Sequence, residues 1–248
     1  MCTQGFRYFA RSVFLIFLFQ CHLSCFSQDE RFASDRPGLS DAPDLIVPGN
    51  WQIETGFDFS EYNHYQIWQL STNTLKYGIS KRLEARLDFG IQYNKSQKVY
   101  GTVGPSFGIK GLLLDGSRII PKTAIIIEYY PPPFSVRQQA SGLGLELCFS
   151  NNLKNNTIYY NVGYDWIDIS SRGTLNILLG YQRQFSKKFA AFSEFYVFVP
   201  SESFINYVTD IGTTYQLLKR LQLDLTIGLD LSKPNGNSFT QGGITYNF

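Results

Sequence analysis

From Leu221 to Leu231 the chain reads Leu-Gln-Leu-Asp-Leu-Thr-Ile-Gly-Leu-Asp-Leu. Leu or Ile fills every odd position, and Gln, Asp, Thr or Gly every even one. Successive side chains of a strand point to opposite faces, so this segment has one apolar and one polar face. A helix would scatter the same residues around its circumference. At about eleven residues the run matches a tilted strand crossing a bilayer.

The pattern recurs along most of the chain. Trp51 to Phe59 alternates, as does Leu83 to Tyr93, and Gln69 to Ile79 does so with one slip of parity near Asn73, the mark of a bulge. Further predicted strands are Thr102 to Leu113, Lys122 to Tyr130, Gly142 to Ser150, Thr157 to Trp166, Thr174 to Phe185, Phe189 to Val199, Tyr207 to Tyr215 and Phe239 to Phe248. Turn-formers separate them, among them Asp115-Gly116, Pro131-Pro132-Pro133 and the Asn-rich stretch from Asn151 to Asn156. The fold expected is all-β, a transmembrane antiparallel β-barrel of about 12 strands with a short N-terminal arm. Short basic turns (Ser80 to Arg82, Ser186 to Lys188, Lys219-Arg220) alternate with longer loops, which places both termini on the periplasmic side.

The start of the chain reads differently. Arg7 and Arg11 precede the apolar run Val13 to Phe19 and small residues from Ser24 to Ser27, so residues 1–27 read as an export signal. Cys25 makes a weak lipid-attachment alternative. Residues 28–50 carry Pro-Gly and Pro-Asp turn chemistry without periodicity and read as an arm that hangs free or folds into the barrel. Residues 51–248 are then the barrel.

Removing Arg7 and Arg11 from 22 basic residues leaves 20, against 20 acidic ones. A neutral mature chain argues against nucleic acid as a partner. Cys2, Cys21 and Cys25 leave with the signal, so Cys148 has no internal disulfide partner. Mean hydropathy is −0.14, as expected when the lumen-facing half of every strand is polar.

A secreted β-sandwich also has one apolar face per strand. Strand length argues for the membrane instead, as does the 16% aromatic content, with Trp51, Tyr62, Tyr65, Trp68, Tyr93, Tyr100, Tyr129, Tyr130, Trp166, Tyr181 and Tyr215 near strand ends. The expected location is the outer membrane of a Gram-negative-type bacterium, with its lipid as one partner.

The chain carries two resemblances. The ending Ile244-Thr245-Tyr246-Asn247-Phe248 resembles the signal by which outer-membrane barrels engage their assembly machinery, implying that Ile244, Tyr246 and Phe248 are read by it. Ser34-Asp35-Arg36-Pro37-Gly38, Val47 to Phe57, Leu75 to Glu84 and Gly108-Ile109-Lys110 together resemble the outer-membrane family labelled "putative meta-pathway of phenol degradation". That resemblance spans almost all of the mature chain and implies transport of small solutes, aromatic or hydrophobic ones included.

If the Leu, Ile and Phe positions face lipid, the opposite parity lines the lumen. This assigns Glu54, Asp58, Glu84, Arg86, Asp88, Lys110, Glu128, Glu146, Asp165, Arg183, Glu194, Asp210, Asp224 and Asp230 to the interior, either as internal ion pairs or as a selectivity lining. Acids outnumber bases, so an open pore is expected to prefer cations. Asp35 and Arg36 are candidates to dock the arm as a plug, or else belong to an exposed turn.

Catalytic chemistry finds little support. His64, near Ser60, is the one histidine of the mature chain, and no third group orients it for a lipid-acting hydrolase. No His/Cys cluster has metal-ligand spacing, and no cofactor motif is present. The sequence therefore favours a channel or solute transporter. The alternatives are a closed structural or surface-interaction barrel acting through its loops at Pro131 to Ser141 and Ile167 to Arg172, or the hydrolase.

Overall fold

The computed structural model describes residues 34–36, 38–62, 65–117, 119–132, 141–166, 173–232 and 237–248. The export signal with Cys25, Pro37, His64, the loop segments 133–140 and 167–172 and the side chains of Tyr62 and Tyr65 lie outside the described residues.

Twelve strands form a closed barrel. They are β1 (Trp51–Tyr62), β2 (Tyr65–Ser80), β3 (Leu83–Asn94), β4 (Val99–Leu114), β5 (Lys122–Tyr130), β6 (Gly142–Leu153), β7 (Asn156–Trp166), β8 (Thr174–Gln184), β9 (Phe189–Pro200), β10 (Asn206–Leu218), β11 (Leu221–Asp230) and β12 (Asn237–Asn247). Each pairs antiparallel with its sequence neighbours, and β12 closes on β1 with Ile53 opposite Tyr246 and Thr55 opposite Ile244. Closure leaves no strand edge unpaired, the condition for backbone to cross a bilayer.

Burial is inverted relative to a soluble protein. Among the largest fully buried side chains are Lys76, Lys110, Gln52 and Glu84, whereas Leu225, Ile227 and Leu229 on β11 are each about half exposed. Phe107, Ile109, Ile127, Leu179 and Ile211 stand on the same outer surface. A soluble sandwich buries its apolar faces against each other, so this arrangement excludes that alternative. Rings mark both rims. Phe59, Trp68, Tyr93 and Tyr100 run across β1 to β4 with successive centroids 5.6, 6.3 and 4.7 Å apart, and at the opposite end Trp51 meets Tyr77 at 4.6 Å.

The strands are longer than their apolar cores. Asn151, Asn152 and Leu153, expected within a turn, continue the β6–β7 ladder opposite Ile158, Thr157 and Asn156. The connection shrinks to Lys154-Asn155, with Lys154 at a φ of 57°. Strands that project beyond the lipid keep their ladder bonds while carrying polar side chains, so polarity alone misplaces the strand ends. The parity slip of β2 expected near Asn73 lies between Gln69 and Ser71.

Candidate functional site: the charged lumen and its N-terminal arm

The described arm residues 34–36 and 38–46 lie inside the barrel, and 47–50 are exposed at its rim. From Ser34 beside Thr245 they run across the interior to Glu194 and return to β1 at the end bearing Trp51 and the short turns (the turn end). Contacts to strands all round the wall hold them there.

Asp35 is the hub. Its Oδ2 lies 2.5 Å from Lys76 Nζ and 3.2 Å from Arg86 Nη2, and its Oδ1 is 2.9 Å from Lys110 Nζ. Three consecutive strands, β2, β3 and β4, thus each offer one cation to one carboxylate. Lys110 is fully buried and also donates to the Ala42 carbonyl at 2.7 Å, while Lys76 reaches Glu54 at 2.7 Å. Burial pushes the Asp35 carboxyl up, but Lys110, Lys76 and Arg86 together outweigh it and hold the group well below the ordinary 3.8. Further along the arm, Asp41 meets Arg86 and Asp44 meets Lys122, both at 2.7 Å. Burial raises the Asp41 carboxyl above its ordinary value, and Arg86 offsets part of that rise.

The other wall carries the opposite sign. Arg36 donates through Nε and Nη2 to the two oxygens of Asp224, each at 3.4 Å, and through Nη1 to Thr72 Oγ1 at 3.1 Å. Its guanidinium lies so close to β1 and β12 that a Cβ at Gly56 or Gly243 would stand 2.3 or 2.5 Å from it. Glu194 accepts from Ser40 Oγ at 2.5 Å and from Tyr159 OH at 2.8 Å, while Tyr196 OH receives Leu39 N at 2.9 Å and donates to Glu194. Glu84 accepts Ile46 N at 2.9 Å. The arm thus sets acids against the cations of β2 to β5 (Lys76, Arg86, Lys110 and Lys122) and one cation, Arg36, against Asp224 of β11.

Every lumen candidate taken from parity points inward except one. Glu54, Glu84, Lys110, Glu194, Asp210 and Asp224 are buried, and Asp58, Arg86, Asp88, Glu128, Glu146, Asp165 and Asp230 are half-buried inside the barrel. Arg183 is the correction. It shares its parity with Ile177, Leu179 and Tyr181, so it faces outward near the turn end, its guanidinium 5.6 Å from the Phe185 ring centroid. A long stem lets such a residue lie on apolar surface at the membrane rim with its charge in water. Ile244 and Tyr246 are exposed on the outer face of β12, and Phe248 N donates to Trp51 O at 2.9 Å.

Toward the other rim (the loop end) the hydrogen bonds to the acids come from neutral donors among the described residues, and Asp88 also faces Glu128. Asp58 accepts from Ser60 and Gln241, Asp88 from Thr74 and Ser106, and Asp230 from Ser232 N and Asn237. Sequence reasoning missed the arm's Asp41 and Asp44, which carry no motif. It also missed the inward aromatic and aliphatic patch of Tyr159, Leu178 and Tyr196, because an apolar residue on an alternating strand was read as lipid-facing.

An uncharged test of docking lies at Gly78. Gly49 N donates to Gly78 O at 2.8 Å and Gly78 N to Asn50 O at 3.1 Å, and a Cβ on Gly78 would stand 2.5 Å from Val47 O. That contact is backbone and cannot swing aside. Gly78→Val is expected to weaken docking by about 1–3 kcal/mol, the usual cost of overpacking. Hydrogen exchange at Gly49 and Asn50 should rise accordingly, while exchange in β6–β9 stays unchanged.

The barrel superposes on an outer-membrane channel from Pseudomonas putida F1 with a TM-score of 0.60 at 11% identity, over 86% of this chain and 100% of that one. The KdgM porin solved with disordered oligogalacturonate gives 0.57 at 10% identity, over 79% and 99% of the two chains. The NanC porin gives 0.57 at 8% identity, over 78% and 98%. The fold is that of an outer-membrane β-barrel. At such identities the likeness extends to the fold and says nothing of cargo. No protein-family model matches the chain and no curated protein does, so the resemblance to the phenol meta-pathway family rests on the motifs quoted for it.

Proposed function

We propose that this protein is an outer-membrane channel for small solutes, with residues 29–50 as a plug seated from the periplasmic side. The observation that carries the reading is the arm itself: one buried carboxylate, Asp35, holds cations from three adjacent strands inside a closed barrel with a charged lumen. Asp58 and Asp230, held by neutral donors among the described residues at the loop end, support a preference for cations, as rings of charge do in channels. The family resemblance extends the solute class to small aromatic and hydrophobic compounds. Insertion would use the β12 face bearing Ile244 and Tyr246, together with Phe248, as the mark read by the assembly machinery.

Conductance of the refolded protein in a planar bilayer, with and without residues 29–50, tests the reading. Small or rare cation-preferring steps from the intact chain and larger steps from the truncated one are expected. Silence from correctly folded protein in both forms would overturn it in favour of a closed structural barrel, which the dense packing of the arm favours as second reading.

A further inference from the structure

The turn end carries its charge unevenly. Segments 153–156, 183–189 and 217–221, at the successive β6–β7, β8–β9 and β10–β11 turns, hold Lys154, Arg183, Lys187, Lys188, Lys219 and Arg220 and no acid. Every acid of β6 to β11 is turned away from them, Glu146, Asp165, Glu194, Asp210, Asp224 and Asp230 all facing the lumen. On the other half of the same rim the bases have acids beside them: Arg82 meets Asp115 at 2.6 Å and Lys122 meets Asp44 at 2.7 Å. One flank of the barrel thus ends in an arc of a single charge, roughly 10 Å from turn to turn because each lies two strands from the next. Like charges gathered on one flank repel one another, and an anionic surface beside them relieves that repulsion.

The arc is held in shape. Gln184 N donates to Asn155 O at 2.7 Å, Gln216 N to Lys188 O at 2.8 Å and Asn247 N to Arg220 O at 3.0 Å, so each turn is tied to the strand that follows it around the wall. Ser186 Oγ accepts from Lys188 N at 3.3 Å and from Phe189 N at 3.1 Å, which closes the middle turn. Its bases also adjoin outward apolar side chains. Phe185 and Phe189 bracket Lys187 and Lys188 with ring centroids 5.8 Å apart, the Arg183 guanidinium lies 5.6 Å from the Phe185 ring, and exposed Leu217 and Leu218 lead into Lys219 and Arg220. The apolar belt therefore runs without a gap into the charge. Lysine and arginine in that position lay their stems on hydrocarbon and hold their charge at headgroup depth. Because the arc lies on the outer circumference, continuous with the lipid-facing surface, the molecules that abut it first are the lipids of that leaflet.

We propose that this arc binds anionic phospholipid, its bases taking headgroup phosphates of the leaflet at the turn end while acyl chains lie on Phe185, Phe189, Leu217 and Leu218. The guanidinium groups of Arg183 and Arg220 suit a phosphate approached through two parallel N–H bonds, and the lysines act as point charges. A base beside an anionic leaflet strengthens the attraction about fivefold. The inference goes beyond the channel reading and needs only that the barrel cross a bilayer.

Electron spin resonance of the refolded protein in phosphatidylcholine vesicles tests it, with spin-labelled phosphatidylglycerol or spin-labelled phosphatidylcholine as the reporting lipid. The barrel should slow the anionic label with a relative association constant about twofold or more above that of the neutral one, an average over the whole circumference of which the arc is a part. Salt at about 1 M, which screens charge within about 3 Å, should abolish the preference. Lys188→Gln/Lys219→Gln/Arg220→Gln should remove most of it, and Lys81→Gln/Lys95→Gln/Lys98→Gln, which deletes as many charges elsewhere, should leave it intact. A gel-mobility shift on heating verifies that each variant folds. No preference for the anionic label, its survival in the arc variant, or equal loss in both variants would overturn the site. Displacement of the anionic label by glycerol phosphate would assign the arc to a soluble phosphate, and displacement by polyglutamate to an acidic protein; either result would overturn the lipid.

Discussion

Asp35→Asn should release the arm. The substitution keeps size and hydrogen-bonding capacity but removes the charge that answers Lys76, Arg86 and Lys110. Lys76 retains Glu54 and Arg86 retains Asp41, each at 2.7 Å, so the loss falls on Lys110, fully buried and left with carbonyl oxygens. Removing one partner of a buried pair costs about 3–5 kcal/mol. Docking should therefore weaken by a factor of roughly 100 to a few thousand, at about 1.4 kcal/mol per tenfold. A cysteine placed at Ala42, with Cys148 buried and inert, reads this as a maleimide-labelling rate faster by a comparable factor. Asp35→Asn/Lys110→Met should recover much of the loss, since deleting both charges leaves no orphan. Labelling as slow as in the parent would mean that the charge cluster does not hold the arm.

The same residue sets the response to acid. Asp35 is held below 3.8 when docked, so its contribution is complete above that pH and disappears as pH falls through the docked value. Asp41 has the opposite sign: its raised value means that the docked state binds this proton more readily, so its ionisation weakens docking as pH rises. Mild acid should leave the arm seated, stronger acid should free it, and Asp35→Asn should abolish the acid step.

The second large effect concerns the outer face. Leu225 is 51% exposed near the middle of β11, opposite Gly242 across the β12 ladder. Leu225→Arg places a guanidinium where only lipid can solvate it and should destabilise the folded barrel by about 2–4 kcal/mol. The neighbouring Gln241 on β12 sits at nearly the same depth but points inward, donating to Asp58 at 2.8 Å. Gln241→Arg should cost about 1 kcal/mol or less, because it meets a carboxylate in a polar lumen. Reversible urea unfolding in lipid vesicles measures both. Equal penalties would contradict the assignment of faces.

How much of this was legible depended on whether a residue's role is local. The alternation of β11 is written in consecutive letters, and twelve strands follow from repeats of that pattern and the turns between them. Glu54, Lys110 and Asp224 were legible as lumen residues because a charge among alternating apolar neighbours has only one tolerable face. Arg183 escaped because at a strand end the penalty for facing outward vanishes, and parity must be counted from Leu179 and Tyr181 rather than inferred from charge. Tyr196 and Leu178 escaped for the converse reason, since an interior partly filled by an arm can accept apolar residues. The meeting of Asp35 with three strands joins residues up to 75 positions apart, and no spacing rule reaches that far.

Arg36 holds one more consequence. Its contacts fall on β2 and β11 and against the glycines of β1 and β12, the first and last strands to be made. A seat divided between the two ends of the sequence does not exist until the last strand has zipped to the first. The arm precedes every strand in the sequence, yet Arg36 completes its contacts only where β11 and β12 have joined β1 and β2. Arg36 can thus latch only a closed ring, whereas the Asp35 contacts on β2, β3 and β4 do not wait for closure.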